Sequence, residues 1–123
     1  MINYDDHNIF AKILRGEIPC KKIYEDEFVL SFYDINPQKK IHALVIPKGK
    51  YVDLDDFCKN ASPKEMVGMF KGIEIVSNKL GISLKSGKGY RALTNIGNDG
   101  GQEVPHLHFH LFGGEKVGKM VSD

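Results

Sequence analysis

His106-Leu107-His108-Phe109-His110-Leu111-Phe112 alternates imidazole and apolar side chains up to Leu111-Phe112, and three of the chain's five histidines fall within five residues. Side chains on an extended strand point alternately to opposite faces, so His106, His108 and His110 should share one face, with neighbours about 6 to 7 Å apart. Leu107, Phe109 and Leu111 then face a core. One histidine on a strand is most often a satisfied or solvated side chain, whereas three in register point to a site.

Immediately upstream, Asn95-Ile96-Gly97-Asn98-Asp99-Gly100-Gly101-Gln102-Glu103-Val104 is a glycine-rich loop leading into Pro105 and the histidines. Glycines let backbone N–H groups approach an anion closely. By itself such a loop is usually only a connection; placed before three histidines, it suggests a phosphate cradle.

Working outward, Tyr90 to Asn95 reads as a fourth strand and residues 105–112 as a fifth. Toward the N-terminus, Asn8 can cap a short helix with Ile9, Phe10, Ile13 and Leu14 at helical spacing, stopped by Gly16. Lys21 to Tyr24 and Phe28 to Asp34 read as strands around Glu25-Asp26-Glu27, with Phe28, Leu30, Phe32 and Asp34 on one face. Asp34 thus ends an apolar row with a carboxylate, either as a ligand contact or as a cap for the Asn36-Pro37 turn. Ile41 to Ile46 is a third strand carrying His42, Leu44 and Ile46 on one face. Ser62-Pro63-Lys64-Glu65 is a capping box with proline at the first helical position. Met66, Met69, Phe70, Ile73, Val76 and Leu80 then form the buried stripe of a long helix, on which Gly68 and Gly72 leave a smooth patch for another backbone. One short helix, one long helix and five strands make an α+β chain.

Its 123 residues suit a single domain spanning 1–123. An apolar fraction of 41% with 27% charged residues is that of a globular protein with a packed core. The net charge is +1 and the basic residues are scattered, so neither a nucleic-acid nor a membrane partner is expected. Residues 1–7 are polar and acidic, without a basic and apolar leader, and Cys20 and Cys58 lie far apart outside any CxxC. A cytoplasmic location is expected.

The histidine run resembles the signature of the histidine-triad superfamily, and the surrounding chain is similar to its Hint branch. The likeness includes Ile9-Phe10 with Glu17-Ile18-Pro19, Asp34-Ile35-Asn36-Pro37-Gln38, His42-Ala43-Leu44-Val45-Ile46-Pro47-Lys48, Gly89-Tyr90-Arg91, Asn95 and Gly100-Gly101-Gln102, so it runs from residue 9 to residue 114. It implies a five-stranded antiparallel sheet, paired into a homodimer with a continuous sheet, and hydrolysis of purine nucleoside phosphoramidates without a cofactor or metal. Under it, His108 is the nucleophile that forms a nucleotidyl-imidazole. His42 and His106 orient His108 and relay a proton, while His110, Asn95 and loop N–H groups from Gly101 onward hold phosphate oxygens. Ile9, Phe10, Ile13, Ile18, Phe32 and Ile35 surround the base, and Asp34 accepts from ribose hydroxyls. The chain departs from the family pattern at Glu103, where several members have serine, at Pro105, where an aromatic residue often stands, and in a tail without tryptophan. Glu103 is accordingly expected to offer its backbone N–H.

Four rivals stand beside this reading. Two triad histidines with His42 could ligate zinc, although the positions of the zinc-binding CxxC of some relatives correspond here to Asn8 and Ala11. A dinucleoside-polyphosphate hydrolase is the nearest enzymatic alternative. A transferase of the galactose-1-phosphate uridylyltransferase type has glutamine where this chain has His110. A nonenzymatic nucleotide- or zinc-binding adaptor is the fourth rival.

Overall fold

The computed structural model describes residues 3–121. Asn8 starts α1 (Ile9–Leu14) by accepting the Ala11 N–H on its side chain at 2.9 Å, and Gly16, at φ 78°, follows the helix in the left-handed conformation that glycine tolerates. β1 (Lys22–Glu25) and β2 (Val29–Tyr33) form a hairpin whose turn is held by Asp26, with Oδ1 accepting the N–H groups of Phe28 and Val29 at 2.8 and 2.9 Å. β3 (Ile41–Pro47) follows, then α2 (Leu54–Asn60), α3 (Pro63–Lys79), β4 (Arg91–Leu93) and β5 (Phe109–Gly113). The strands make one antiparallel sheet in the order β1-β2-β3-β5-β4. Among the described residues no helix is long and apolar enough to cross a membrane.

Alternation on β2, β3 and β5 gives the sheet two apolar faces. Val29, Ala43, Val45 and Leu111 pack with Met69, Ile73 and Val76 of α3, while Leu30, Phe32, Leu44 and Ile46 pack with Phe10 of α1. Ser62 and Glu65 cap α3 reciprocally, as the sequence implies.

The structure corrects five expectations. α2 is an additional helix, capped by Asp53 and carrying Asp55 and Asp56 in its first turn, in a segment with too few apolar residues to show a period. Phe28 lies outside β2 and packs toward α3, because the Asp26 turn breaks the alternation before Val29. The fourth strand is only Arg91–Leu93, and the fifth begins at Phe109, so His106 and His108 precede the ladder. Pro105, which has no N–H and a fixed φ, stands where pairing would have to start. On α3, Phe70 points outward and is 61% exposed. Gly68 and Gly72 face their own sheet, with Phe28 and Val29 occupying the space a Cβ would need.

Candidate active site

Residues 104–108 run without ladder hydrogen bonds and are positioned by other contacts. The His106 N–H donates to Val104 O at 2.9 Å and the Leu107 N–H to Tyr51 O at 2.8 Å. The Thr94 hydroxyl donates to His108 O at 2.7 Å. Side-chain alternation nevertheless persists. Leu107 and Leu111 are buried against the α3 layer, while His106 and His108 meet the ring of Phe10 edge-on, with centroids 6.4 and 4.9 Å away. His110 lies 5.0 Å from His108, ring to ring. His42, opposite Phe112 on β3, joins them on this face.

The network around each imidazole identifies which nitrogen carries hydrogen. Nδ1 of His108 is 2.8 Å from His106 O, which can only accept, so Nδ1 holds the hydrogen and Nε2 keeps its lone pair. His106 donates from Nε2 to Pro47 O at 2.8 Å and accepts on Nδ1 from the Tyr4 hydroxyl at 2.5 Å. On the other side, the Gln38 N–H donates to Nδ1 of His42 at 3.2 Å. Nε2 of His42 therefore donates to Nδ1 of His110 at 2.9 Å, and the hydrogen of His110 sits on its Nε2. The site thus presents one bare nitrogen, on His108, and one N–H donor, on His110.

Burial keeps these rings neutral. Desolvation lowers the pKa of His106 to about 4, against the Pro47 carbonyl that favours its charged form. Desolvation also brings His110 to about 4, reinforced by His108 and His42 and opposed by Asp34. His42 is lowered by desolvation against the pull of Asp34. His108 is lowered for the same first reason, opposed by the His106 carbonyl and the charges of Asp34 and Glu103.

Asp34 has two jobs in the structure. Its Oδ1 accepts the Asn36 N–H at 2.8 Å, the turn cap foreseen as an alternative, while Oδ2 stands 3.4 Å from Nε2 of His42. Asp34, His42 and His110 each offer a ligand atom, all within 4.8 Å of one another, so they could hold a metal. This set differs from two triad histidines plus His42, and a metal there would have to replace the hydrogen shared by His42 and His110.

The remaining expected contacts divide by burial. Phe10 and Phe32 are buried beneath the histidines, Ile13 and Ile18 are half-buried, Ile9 is 46% exposed and Ile35 91% exposed. In the glycine loop, Asn95 donates from Nδ2 to Gly100 O at 2.7 Å and the Gly101 N–H donates to Asn98 O at 3.1 Å. The Gly101 N–H is therefore used by the loop itself, whereas the N–H of Glu103 has no internal partner among the described residues. The expectation that His106 relays a proton meets a ring fully buried with both nitrogens engaged. Its link to His108 is its backbone carbonyl. Tyr4 and Thr94 were not evident from the sequence, since neither lies in a periodic pattern or a motif.

Residues 15–117 match the family model described as HIT domain. A 13.2 kDa HIT-like protein of Azospirillum brasilense is 52% identical over 119 residues, covering 97% of this chain and 95% of the relative. Among solved structures, a HIT family hydrolase from Clostridium thermocellum superposes with a TM-score of 0.83 at 38% identity, covering 94% of this chain and 98% of that one. A histidine triad protein from Clostridium difficile gives a TM-score of 0.80 at 39% identity, covering 98% and 100%.

Proposed function

The chain belongs to the HIT domain family, and from that premise we propose that it hydrolyses purine nucleoside phosphoramidates through a nucleotidyl intermediate on His108, as in the Hint branch. The observation that carries this reading is the His108 tautomer. With Nδ1–H tied to the His106 carbonyl, Nε2 offers a lone pair from a neutral ring.

Nε2 of His108 attacks phosphorus, the P–N bond breaks, and the leaving amine takes a proton. A bound phosphorus anion favours the imidazolium form of a neighbouring histidine, so the His42–His110 pair carries that proton. Nε2–H of His110 also donates to a non-bridging oxygen, alongside the free N–H of Glu103. Water then attacks the phosphorus of the nucleotidyl-histidine and returns one proton to the His42–His110 pair, the P–N bond to Nε2 of His108 breaks, and the nucleoside monophosphate leaves with the neutral imidazole restored. Asp34 accepts from the ribose hydroxyls, and half-buried Ile13 and Ile18 with exposed Ile9 and Ile35 border the base.

His108→Ala removes bond-making while leaving the pocket in place, so turnover should vanish and nucleotide affinity persist. Mass spectrometry of a quenched wild-type reaction should show a nucleotidyl adduct on His108. Activity of the variant within tenfold of wild type would refute the assignment. Turnover should also survive exhaustive chelation, since the proposed chemistry uses imidazoles and backbone N–H groups alone; loss on chelation with rescue by zinc would favour the Asp34, His42 and His110 set as a metal centre. Faster cleavage of dinucleoside polyphosphates would move the substrate to that class. The same reading puts the reaction in the cytoplasm, where the thiols of Cys20 and Cys58 stay reduced.

A further inference from the structure

The N-terminal arm precedes every helix and strand, yet it reaches the back of the triad. The Tyr4 hydroxyl lies 2.5 Å from Nδ1 of His106, and the two rings meet edge-on with centroids 5.5 Å apart. The direction of this hydrogen bond follows from the far side of the same imidazole: Nε2 must donate to Pro47 O, so a neutral ring can only accept on Nδ1. Burial raises the Tyr4 pKa, so the phenol remains a donor at neutral pH. The arm is fastened at this contact and just after it. Asp6 pairs with Lys50 at 2.8 Å, Arg15 donates to Asp6 O at 2.8 Å, and Lys50 stands 6.0 Å above the Tyr4 ring.

We propose that Tyr4 is a positioning residue: its hydroxyl locks His106 in the Nε2–H tautomer, and the locked ring holds the His106 carbonyl against Nδ1–H of His108. This rests on the reading of His108 as nucleophile. The peptide at His106 sits in an irregular segment ahead of β5, so no strand pairing fixes it. The Leu107 N–H of that peptide is tied to Tyr51 O, and the second hold is a fully buried ring pinned at one nitrogen to the end of β3 and at the other to Tyr4. Without the phenol oxygen, Nδ1 becomes a buried acceptor with no donor, and the ring gains by turning or exchanging tautomers. Its carbonyl then moves away from His108, which is freed to place hydrogen on Nε2, the atom that must be bare.

The test is Tyr4→Phe in the full-length protein, which keeps the aromatic contact and deletes one oxygen, with Tyr4→Leu as a packing control. Two-bond proton–nitrogen spectra of ¹⁵N-histidine-labelled protein read the tautomers directly, without substrate. Wild type should show His106 as Nε2–H and His108 as Nδ1–H. Tyr4→Phe should shift the His106 Nδ1 signal to that of an unbonded nitrogen and populate the Nε2–H form of His108. With phosphoramidate substrate, kcat should fall about three- to tenfold, the worth of one hydrogen bond, while KM stays unchanged. Unchanged histidine signals in Tyr4→Phe would overturn the proposal, as would wild-type kcat with only Tyr4→Leu impaired, since that pattern means packing alone. If wild type turns over no phosphoramidate, the proposed reaction fails, and the resting spectra still decide the role of Tyr4.

Discussion

At Asp34 a carboxylate is shared between the fold and the proposed ligand. One oxygen is bound to the Asn36 N–H and the other faces His42 at 3.4 Å, so the carboxylate is held in place at the end of β2 without using all its acceptor capacity. Hydrogen bonds to a charged group contribute about 1.5 to 3 kcal/mol, so a 2′-deoxy substrate should show kcat/KM roughly ten- to a hundredfold below the ribo form. Asp34→Ala should shrink that ratio toward one; equal wild-type rates on both substrates would remove Asp34 from ribose recognition. The histidines make a second prediction at this scale. His106 and His110 titrate near 6.5 when unfolded and near 4 when folded, so below pH 6.5 the unfolded chain binds more protons. Stability should be full above pH 6.5 and fall as pH drops from there toward 4, by roughly 3 kcal/mol per group at most. Urea midpoints at pH 7.5 and 4.5 measure this, and an unchanged midpoint would contradict it.

Among the elements, α3 shows how a helix can be packed on glycine. A Cβ at Gly72 would lie 2.7 Å from Cγ2 of Val29, inside van der Waals contact, so the absent side chain lets β2 approach the helix. Alanine is favoured over glycine in a helix by about 1 kcal/mol, but overpacking of a core typically costs about 1 to 3 kcal/mol. Val29 is fully buried in a sheet and has little room to give, so the steric cost should win. Gly72→Ala should therefore lower the urea midpoint, whereas a gain in stability would show that α3 can slide. β5 presents the opposite case, a strand that supplies the site from its frayed end. His110 is fixed by pairing with Leu44 and Leu93, while His108 and His106 depend on Thr94, Tyr51, Pro47 and Tyr4.

The whole molecule leaves β4 as an exposed sheet edge of three residues, and beside it an apolar surface that its own core does not cover. Phe70 of α3 is 61% exposed and lies 6.3 Å from Phe109, on the strand next to β4; Val67 is also exposed. An unpaired edge continuous with exposed aromatic surface suits a second copy of the chain, which would extend the sheet and bury both. We therefore propose a homodimer through β4 and α3. Sedimentation at micromolar concentration should give twice the 13.8 kDa chain mass, and Phe70→Glu should yield the monomer. A wild-type monomer would exclude this arrangement.

The sequence alone determined what depends on local periodicity and on neighbours in the chain: five strands, the capped helices α1 and α3, and a histidine face opposite a leucine face. Period-two alternation survives at His106 and His108 although they precede β5, with Leu107 facing the α3 layer and the imidazoles the Phe10 side. It could not show α2, whose capping aspartates carry no apolar period, or the outward turn of Phe70. Only the tertiary structure decided which nitrogen of each imidazole holds hydrogen. For His106 and His110 that is set by groups remote in sequence, Pro47 O and the Tyr4 hydroxyl for His106 and His42 for His110, while the near neighbours Gln38 N–H and His106 O meet His42 and His108 only through the local turns of the folded chain. A tautomer is a property of the partners that folding delivers, and no spacing in the chain encodes it.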